Sequence, residues 1–394
     1  MNILTINAGS STVKYAVFSL DQKKKTEEQL LGGLIEVPPA KDGNTAGYDL
    51  AFKHIMQDLE KNDLTVQAVA HRVVHGNSLT HSVLINKHVI MVIKHACHIA
   101  PLHDPHNLQG ILACQKFLKC PQVAVFDTSF HAGLPAKAST YALPLWLSKK
   151  YGWKRYGFHG ISHEYVAHEA CKLLKKSFSS VKMVTCHLGN GASLAAIDHG
   201  KSVDTSMGFT PLEGLVMGTR SGDLDPALVC LLIEKGFREP AVYDLLNNQC
   251  GLKGLAGTND MRELISRKDQ KAVRNALDVY VYRIVKYLGA YIASLNGVDV
   301  IVFTAGVGEH CAWVRQEVMK QFGYLGIKID GKKNAQNARV ISTPESKVKV
   351  CVIPTNEALM MARETVKLVG KKGLTTLHIF SFKGSVDMVS LSVM

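Results

Sequence analysis

The fold is indicated most clearly by the start of the chain, where residues 3–6 read ILTI, residues 7–11 read NAGSS and residues 13–18 read VKYAVF. Two apolar runs on either side of a short turn of small polar residues are typical of two strands joined tightly. Such a turn has a neutral interpretation as well, because Gly and Asn join antiparallel strands in many proteins. The stretch therefore predicts a strand–turn–strand unit, but by itself no function.

The same pattern recurs much further along the chain. Residues 183–188 read MVTCHL, residues 189–193 read GNGAS and residues 194–198 read LAAID. Two distant copies of one unit predict a duplicated α/β domain with a cleft between the halves.

A third apolar run, residues 298–303, leads into residues 304–309, which read TAGVGE, and then into a helical pattern over 314–322. We expect strand, glycine turn and helix, an arrangement that lets a ligand approach outward-pointing backbone N–H groups.

Other elements are predicted from the spacing of apolar residues and from the Gly and Pro residues that bound each segment. Residues 270–295 predict one long helix, and a Gly-rich turn precedes another helix between residues 152 and 176. Residues 348–353 predict a strand and residues 357–369 a helix. The tail, 370–394, has little helical period and suggests no function.

The net charge of the 394-residue chain is +13, but its lysines are scattered and do not form a basic stripe interleaved with aromatic residues. We therefore expect no nucleic-acid partner. The positive field would still favour an anionic substrate.

The nine cysteines are an odd number, and no pair stands at C-x-x-C spacing. This usage suits free thiols in a reducing compartment. The first residues lack the basic region of a signal peptide, and charged residues or histidines interrupt every long apolar stretch. We expect a cytoplasmic protein without a membrane partner.

Three small-residue loops each follow an apolar strand, at residues 7–11, 187–191 and 306–308. Phosphoryl transfer needs backbone N–H donors near the phosphates and cations to offset their charge. One such loop would be weak evidence, whereas three favour a split nucleotide cleft.

Several charged residues could act on anions. The forked guanidinium groups of Arg72, Arg220 and Arg262 could clamp carboxylate or phosphate, although structural ion pairs are equally expected. Asp127 ends an apolar strand, where α/β folds place catalytic groups, but could also cap a helix. Glu357 could bind magnesium or favour a helix dipole.

The histidines suggest two further hypotheses. His159, in a glycine-flanked turn, could donate a hydrogen bond to a transferring phosphoryl group or satisfy a turn carbonyl. A zinc site is disfavoured because prolines interrupt the segment that carries the four candidate ligands, His95, His98, His103 and His106.

Taken together and in order, the motifs resemble the acetate kinase family over roughly residues 2–369. The motifs are INAGSS at 6–11, HRVVHG at 71–76, APLH at 100–103, FDT at 126–128, FHG at 158–160, HLGNG at 187–191, the run 204–226, FTAG at 303–306 and PTNE at 354–357. An ordered set is far more specific than any single loop. Asp104 and His106 depart from the family's usual Pro-Leu-His-Asn-Pro stretch.

The resemblance implies an α/β fold of duplicated actin-like (ribonuclease H-like) domains with an ATP cleft between them, usually in a homodimer. The N-terminal domain would comprise residues 1–128 plus 359–394, completed by the C-terminal helix. Residues 129–358 would form the second domain and carry most of the nucleotide site.

The resemblance also implies a reaction: reversible, direct in-line transfer of the ATP γ-phosphoryl group to acetate, giving acetyl phosphate and ADP. Mg²⁺ would assist, with Mn²⁺ able to substitute. Propionate kinase is a close alternative, since one methylene discriminates by only ~1–3 kcal/mol. A non-catalytic actin/Hsp70-like ATP-binding module is a more distant one.

Site residues are carried over position by position. The implied catalytic residues are Asp127, His159 and Arg220, and the implied metal contacts are Asn7 and Glu357. The implied substrate-binding residues are Arg72, Val74, Leu102, Phe158 and Pro211. The implied ATP contacts are Lys14, His187, Leu188, Gly189, Asn190, Gly191, Asp260, Met261, Arg262, Gly306, Val307, Gly308, Glu309 and His310.

Overall fold

A computed structural model describes residues 1–21, 23–38 and 45–371 of the chain. Within those residues, eleven strands form two sheets, with fifteen α-helices around them. The tail beyond residue 371 lies outside the described part.

The first sheet is built from the N-terminal third of the chain. Its strands are β1 (Asn2–Ala8), β2 (Thr12–Asp21), β3 (Thr26–Glu36), β4 (Ala68–Val73), β5 (Val83–Leu84) and β6 (Gln122–Phe126). Their order is β3-β2-β1-β4-β6-β5. Strands β1 to β3 form an antiparallel meander, and β4 and β6 continue from β1 in parallel.

The second sheet repeats this topology. Its strands are β7 (Lys182–Leu188), β8 (Ala192–Asp198), β9 (Lys201–Thr205), β10 (Val300–Thr304) and β11 (Lys349–Val352). Their order is β11-β10-β7-β8-β9, again an antiparallel meander followed by two parallel strands. Apart from β5, the two sheets match strand for strand, which confirms the predicted duplicated α/β fold.

The helices fill the connections between strands. They are α1 (Ala46–Lys61), α2 (Lys87–Ala96), α3 (Asp104–Phe117), α4 (Ala136–Ser139), α5 (Leu145–Tyr151), α6 (Gly160–Leu174), α7 (Ala227–Glu234), α8 (Glu239–Asp244), α9 (Gly251–Ala256), α10 (Met261–Ser266), α11 (Lys271–Ser294), α12 (Ala305–His310), α13 (Ala312–Lys320), α14 (Gly331–Ala335) and α15 (Glu357–Lys371). No helix in the described ranges combines the length and apolarity that crossing a membrane requires.

Helices α6 and α15 join the two sheets into one core. A single apolar cluster contains Ile3 of the first sheet, Val302 of the second, Val166 of α6 and Met360 of α15. Arg363 of α15 reinforces this junction, because its guanidinium bonds Glu27 of β3 at 2.7 Å and Glu169 of α6 at 2.9 Å.

The predicted helices over 270–295 and 357–369 correspond to α11 and α15, but the glycine turn predicted over 304–309 is wrong. Most of that segment is the short helix α12. Ala305 enters it with a left-handed φ of 64°, and one carboxylate oxygen of Glu309 accepts the Ala305 N–H at 2.8 Å. A glutamate that reaches back to cap the first turn in this way stabilises a helix despite its glycines.

Candidate active site

The centre of the candidate site is an ion pair at the carboxyl edge of the first sheet. Arg72 lies near the end of β4 and Asp127 directly follows β6, so parallel pairing brings them together. The pair is bidentate, with Nε to Oδ1 at 2.9 Å and Nη2 to Oδ2 at 2.7 Å. Glu357 is a second counter-charge, with Oε2 3.7 Å from the Arg72 Nε.

The charges of Arg72, Asp127 and Glu357 shift the pKa values of Arg72 and Glu357. Burial by itself would lower the pKa of Arg72, but the charges of Asp127 and Glu357 raise it above its ordinary value. Burial raises the pKa of Glu357, and the positive charges of Arg72 and Lys14 oppose that rise. Arg72 is therefore a permanent cation between two acidic groups.

A cavity of about 610 Å³ lies beside this pair and is lined by Asn7, Lys14, Asn356 and Glu357. Asn7 and Lys14 are directly opposite each other in the β1–β2 pairing, and Glu357 begins α15. Carboxylate and amide oxygens at one cavity wall fit a hard divalent cation, which binds few protein ligands and keeps water or phosphate for the rest.

His159 stands on the side of the second sheet, at the residue that precedes α6. It has a left-handed φ of 56°, and its ring stacks on that of His187 at 4.1 Å between centroids. A Cβ at position 191 would lie only 3.3 Å from the His159 ring, so Gly191 permits this close approach. Burial, followed by the neighbouring His187, holds the pKa of His159 well below its usual range, which keeps the ring neutral.

Arg220 completes the group, because a Cβ at position 191 would also lie 3.5 Å from its Nη1. Its Nη1 donates to the carbonyl of Pro211 at 3.4 Å, and its Nη2 lies 3.3 Å from Nε2 of His103. Burial lowers the pKa of Arg220. His103 precedes α3 in the first half of the chain, so this contact joins the two halves.

His103 lies close enough to these groups for their charges to act on it, and we call the region around Arg72, Asp127, His159 and Arg220 the crevice. Its pKa is lowered to about 4, first by burial, then by the charges of Arg220 and Arg72, against the opposing charge of Asp127. Arg72 and Arg220 likewise both act on His159. The structure therefore brings together Arg72, Asp127, His159 and Arg220, which sequence reasoning selected from distant segments.

A second cavity, of about 670 Å³, lies beside Gly189 and Asn190, in the same loop as Gly191. Its walls come from the loop after β7, the start of α10 and helix α12. The predicted ATP contacts that line it are Gly189, Asn190, Asp260, Met261, Arg262, Gly306, Val307 and His310. At its mouth, Asn259 donates to the side-chain oxygen of Asn190 at 2.8 Å and Arg262 pairs with Asp260 at 2.7 Å.

The remaining predicted ATP contacts are placed differently. Leu188 is fully buried in the core, and a Cβ at Gly308 would meet backbone atoms of β10 and β7 at 3.4 and 3.5 Å. The carboxylate of Glu309 accepts N–H groups of Ala305 and Thr355, so it organises loops. Lys14 lines the other cavity, and His187 and Gly191 flank His159.

Only some of the residues predicted to form the apolar pocket lie together. Val74 and Phe158 are buried in the same apolar cluster, and Pro211 contacts Arg220 through its carbonyl. Leu102 lies in the turn before α3 and is 39% exposed.

The four histidines of the zinc hypothesis do not come together: the rings of His95 and His98 are neighbours, with centroids 6.4 Å apart, whereas His103 and His106 have other partners. His103 contacts Arg220, His106 bonds the hydroxyl of Tyr48 at 2.9 Å, and His95 donates to a backbone carbonyl within α2. In the described ranges, no three His, Cys, Asp or Glu side chains are grouped to hold a metal ion.

Sequence reasoning missed Asn107, and it noted Asp104 only as a departure from the family's usual motif. Asn107 accepts the Val74 N–H at 3.1 Å and donates to the carbonyl of Ala8 at 2.8 Å. Asp104 is fully buried, accepts the His75 N–H through Oδ1 at 3.1 Å and has no partner at Oδ2. Their spacing on the first turn of α3 was the available signal, since side chains three residues apart share one helix face.

Asp104 leads to a prediction about stability. Burial raises its pKa to about 8, above the roughly 3.9 of an unfolded aspartate. Between these values the unfolded chain has lost a proton that the folded chain keeps, so stability falls as pH rises from about 4 to 8. We expect Asp104→Asn to reduce the loss of unfolding free energy between pH 5 and pH 8 by about 2–4 kcal/mol.

Urea denaturation at both pH values measures this effect. Asp269→Asn is the matched control, because the Asp269 side chain is 89% exposed and should leave the pH dependence unchanged. Equal pH dependence in the wild type and the Asp104→Asn variant would show that Asp104 is ionised in the folded state.

Two sheets of like topology, a cluster of cations where the two halves of the chain meet and a cavity beside that cluster are the features of ATP-dependent kinases with duplicated actin-like domains. Comparison with known proteins narrows this class. Residues 2–363 match the model of the acetokinase family, and the chain belongs to that family. It is a phosphotransferase that uses a carboxyl group as acceptor.

Individual relatives agree over nearly the whole length. The chain is 47% identical to the acetate kinase of Thermosipho africanus, with 96% of this chain and 100% of the relative covered. The Porphyromonas gingivalis acetate kinase structure has a TM-score of 0.83 at 38% identity, covering 93% of this chain and 99% of that one. A Francisella tularensis propionate kinase structure has a TM-score of 0.84 at 36% identity, with the same coverage.

Proposed function

We propose that this chain is an acetate kinase, which transfers the γ-phosphoryl group of ATP reversibly to acetate with Mg²⁺. The observation that carries the proposal is the crevice, in which Arg72, held by Asp127, and Arg220 both lie near the neutral ring of His159. This crevice adjoins the cavity lined by Asn190 and Gly306.

Arg72 binds the acceptor in this mechanism. Its bonds to Asp127 use Nε and Nη2, and Nη1 makes no hydrogen bond to a described residue. Nη1 is therefore available for one oxygen of a carboxylate. Acetate is already ionised at neutral pH, so Asp127 orients the guanidinium and need not abstract a proton.

His159 and Arg220 stabilise the transferring group. The phosphoryl group passes between two oxygens with its negative charge spread over three others. The imidazole of His159 and the guanidinium of Arg220, both next to Gly191, can donate hydrogen bonds to those oxygens without reorganising. Val74 and Phe158 would hold the methyl group of the acceptor.

Asn7 and Glu357 would hold the Mg²⁺, for which Mn²⁺ could substitute. A divalent cation bound there offsets phosphate charge, which is the chemistry that the metal supplies. Lys14 lines the same cavity and adds a fixed positive charge.

The domain division that supports this mechanism is residues 1–128 plus 359–394 and residues 129–358. Two observations support this division: β1–β6 and β7–β11 form separate sheets, and α15 packs against the first of these sheets. We also propose a cytoplasmic location, since the nine cysteines are all free.

The test is an assay with acetate, ATP and Mg²⁺ in which hydroxylamine traps the acyl phosphate. We expect hydroxamate formation that depends on all three reactants. Absence of product beside an active control enzyme would refute the proposal. Propionate should be tried in parallel, and a higher kcat/KM for propionate would favour the alternative that the Francisella tularensis structure represents.

We further propose a homodimer that uses α7. This helix has no buried residue, and Leu228, Leu231 and Ile233 are each about half exposed, at 50%, 48% and 51%. An apolar patch of this kind marks an interaction surface.

We expect Leu231→Lys to convert the dimer into a monomer, because a charge would be buried at the contact. Light scattering after gel filtration measures the mass. Tyr324→Lys is the control, since Tyr324 is 75% exposed on another element and should leave the mass unchanged. A monomeric wild-type protein would contradict the proposal.

A further inference from the structure

A chain of hydrogen bonds runs from the middle of β7 to the crevice and ends at His159. The hydroxyl of Thr185 lies 2.7 Å from Nδ1 of His163, and Nε2 of His163 lies 2.8 Å from the hydroxyl of Ser193. The same Ser193 hydroxyl lies 2.9 Å from Nδ1 of His159. Thr185, His163 and Ser193 are fully buried and line neither of the two cavities described above.

The number of hydrogens in this chain allows two arrangements in which all the bonds run in one direction. A third, in which Ser193 accepts from both imidazoles, would leave the buried Ser193 hydroxyl hydrogen without an acceptor among the described residues. A neutral imidazole has one donor and one acceptor, and a hydroxyl donates one hydrogen. Burial holds the pKa of both His159 and His163 well below the usual range, so both rings are neutral. If Thr185 donates to His163, then His163 donates to Ser193, Ser193 donates to Nδ1 of His159, and the hydrogen of His159 is on Nε2. The reverse direction leaves Nε2 of His159 without a hydrogen.

The surroundings of Nε2 distinguish the two arrangements. This atom faces Gly191, where an added Cβ would lie 3.3 Å from it and 3.5 Å from Nη1 of Arg220. A phosphoryl group held by Arg220 beside this loop would be repelled by a lone pair on Nε2 and attracted by an Nε2–H. The first arrangement therefore suits an anion in the crevice.

We propose that Thr185, His163 and Ser193 are positioning residues that hold His159 as the Nε2–H tautomer, so that a neutral imidazole donates to the transferring phosphoryl group. The inference rests on the proposed phosphoryl transfer for its last step only. Thr185 has its effect through two intervening side chains, without contact with either substrate. A second chain, from Thr355 through Ser162 to His187, ends on a different ring.

The decisive variants alter Thr185, because valine has the same shape as threonine without the hydroxyl. Thr185→Val removes the first donor of the chain, while Thr185→Ser keeps it. Thr205→Val is the matched control, since the Thr205 hydroxyl is equally buried in the same sheet but donates to the carbonyl of Leu194 at 3.0 Å. A loss of stability common to Thr185→Val and Thr205→Val would thus be separated from an effect on His159.

The first measurement is the ¹⁵N chemical shift of the His159 ring in substrate-free protein, assigned by its absence from His159→Gln. We expect the Nε2–H tautomer in the wild type, Thr185→Ser and Thr205→Val. In Thr185→Val we expect a mixture of tautomers. An Nδ1–H tautomer in the wild type, or an unchanged tautomer in Thr185→Val, would overturn the inference.

The second measurement is steady-state kinetics. Because complete loss of one preorganised donor lowers kcat by roughly 10²–10³-fold, a partial loss in Thr185→Val should lower kcat by about tenfold. KM for both substrates should stay near the wild-type value, and Thr185→Ser should recover kcat. Equal kcat in Thr185→Val and Thr205→Val would overturn the inference. A wild-type protein without carboxylate turnover would overturn the donor role together with the proposed function, while leaving the NMR result interpretable.

Discussion

Replacing Arg72 with alanine is expected to lower kcat/KM for the carboxylate by roughly 10²–10⁴-fold, while the nucleotide still binds. The guanidinium makes the bidentate pair with Asp127 and is 3.7 Å from Glu357, so its loss leaves two acidic groups unpaired where an anion must bind. The negatively charged acceptor is then repelled by these two carboxylates and is no longer attracted by the guanidinium. Hydroxamate formation measures turnover, and titration of a fluorescent ATP analogue measures nucleotide binding.

Two further variants show whether the positive charge of Arg72 is sufficient or its planar shape is also needed, and whether loss of any ion pair has the same effect. Arg72→Lys keeps a cation but loses the planar fork, so its activity should be between those of alanine and the wild type. Arg274→Ala, which breaks an exposed pair with Asp278 on α11, should behave as the wild type does. Full turnover in Arg72→Ala would show that Arg72 is a structural ion pair and would favour the non-catalytic ATP-binding module.

Replacing Arg220 with alanine is expected to lower kcat by roughly 10²–10³-fold with a smaller change in KM for acetate. Arg220 is beside Gly191 and His159, where negative charge develops during transfer, and its other contacts are the Pro211 carbonyl and His103. An interaction that strengthens in the transition state affects kcat more than ground-state binding. Initial rates over a range of acetate concentrations separate the two constants.

Arg262→Ala provides the contrast for Arg220. Its side chain is 92% exposed at the mouth of the second cavity and is paired with Asp260. We expect this variant to change KM for ATP and to leave kcat close to that of the wild type. A change confined to KM for acetate in Arg220→Ala would mean that Arg220 binds the acceptor.

Much of the fold and part of the site could be predicted from sequence because they depend on local patterns. The ILTI–NAGSS–VKYAVF stretch and its later copy contain apolar runs and turn residues that are sufficient to form β1–β2 and β7–β8. Asp127 was identifiable because a polar residue that ends an apolar strand emerges at the sheet edge. The resemblance then supplied the residues that no local pattern distinguishes.

The rest depends on contacts between segments far apart in the chain. The sequence does not show whether the carboxylate of Glu309 faces a ligand or caps its own helix. It caps the helix because it accepts the N–H of Ala305 and also that of Thr355, a residue far away in the chain. The raised pKa of Asp104 is a consequence of its complete burial, and the polar residues beside it in the sequence do not indicate that burial. The bond from Ser193 to both His159 and His163 likewise requires β8 and α6 to be packed together.

The chain leaves the first sheet after β6 and returns to it at α15, so the two halves are linked by two peptide crossings. Asp127 stands at the first crossing and Glu357 at the second, and Arg72 bridges them. A swinging movement of one half against the other would use these crossings as its pivots. The ion pairs of Arg72 with Asp127 and Glu357 would then lie close to the pivot and shift less than groups farther from the crossings.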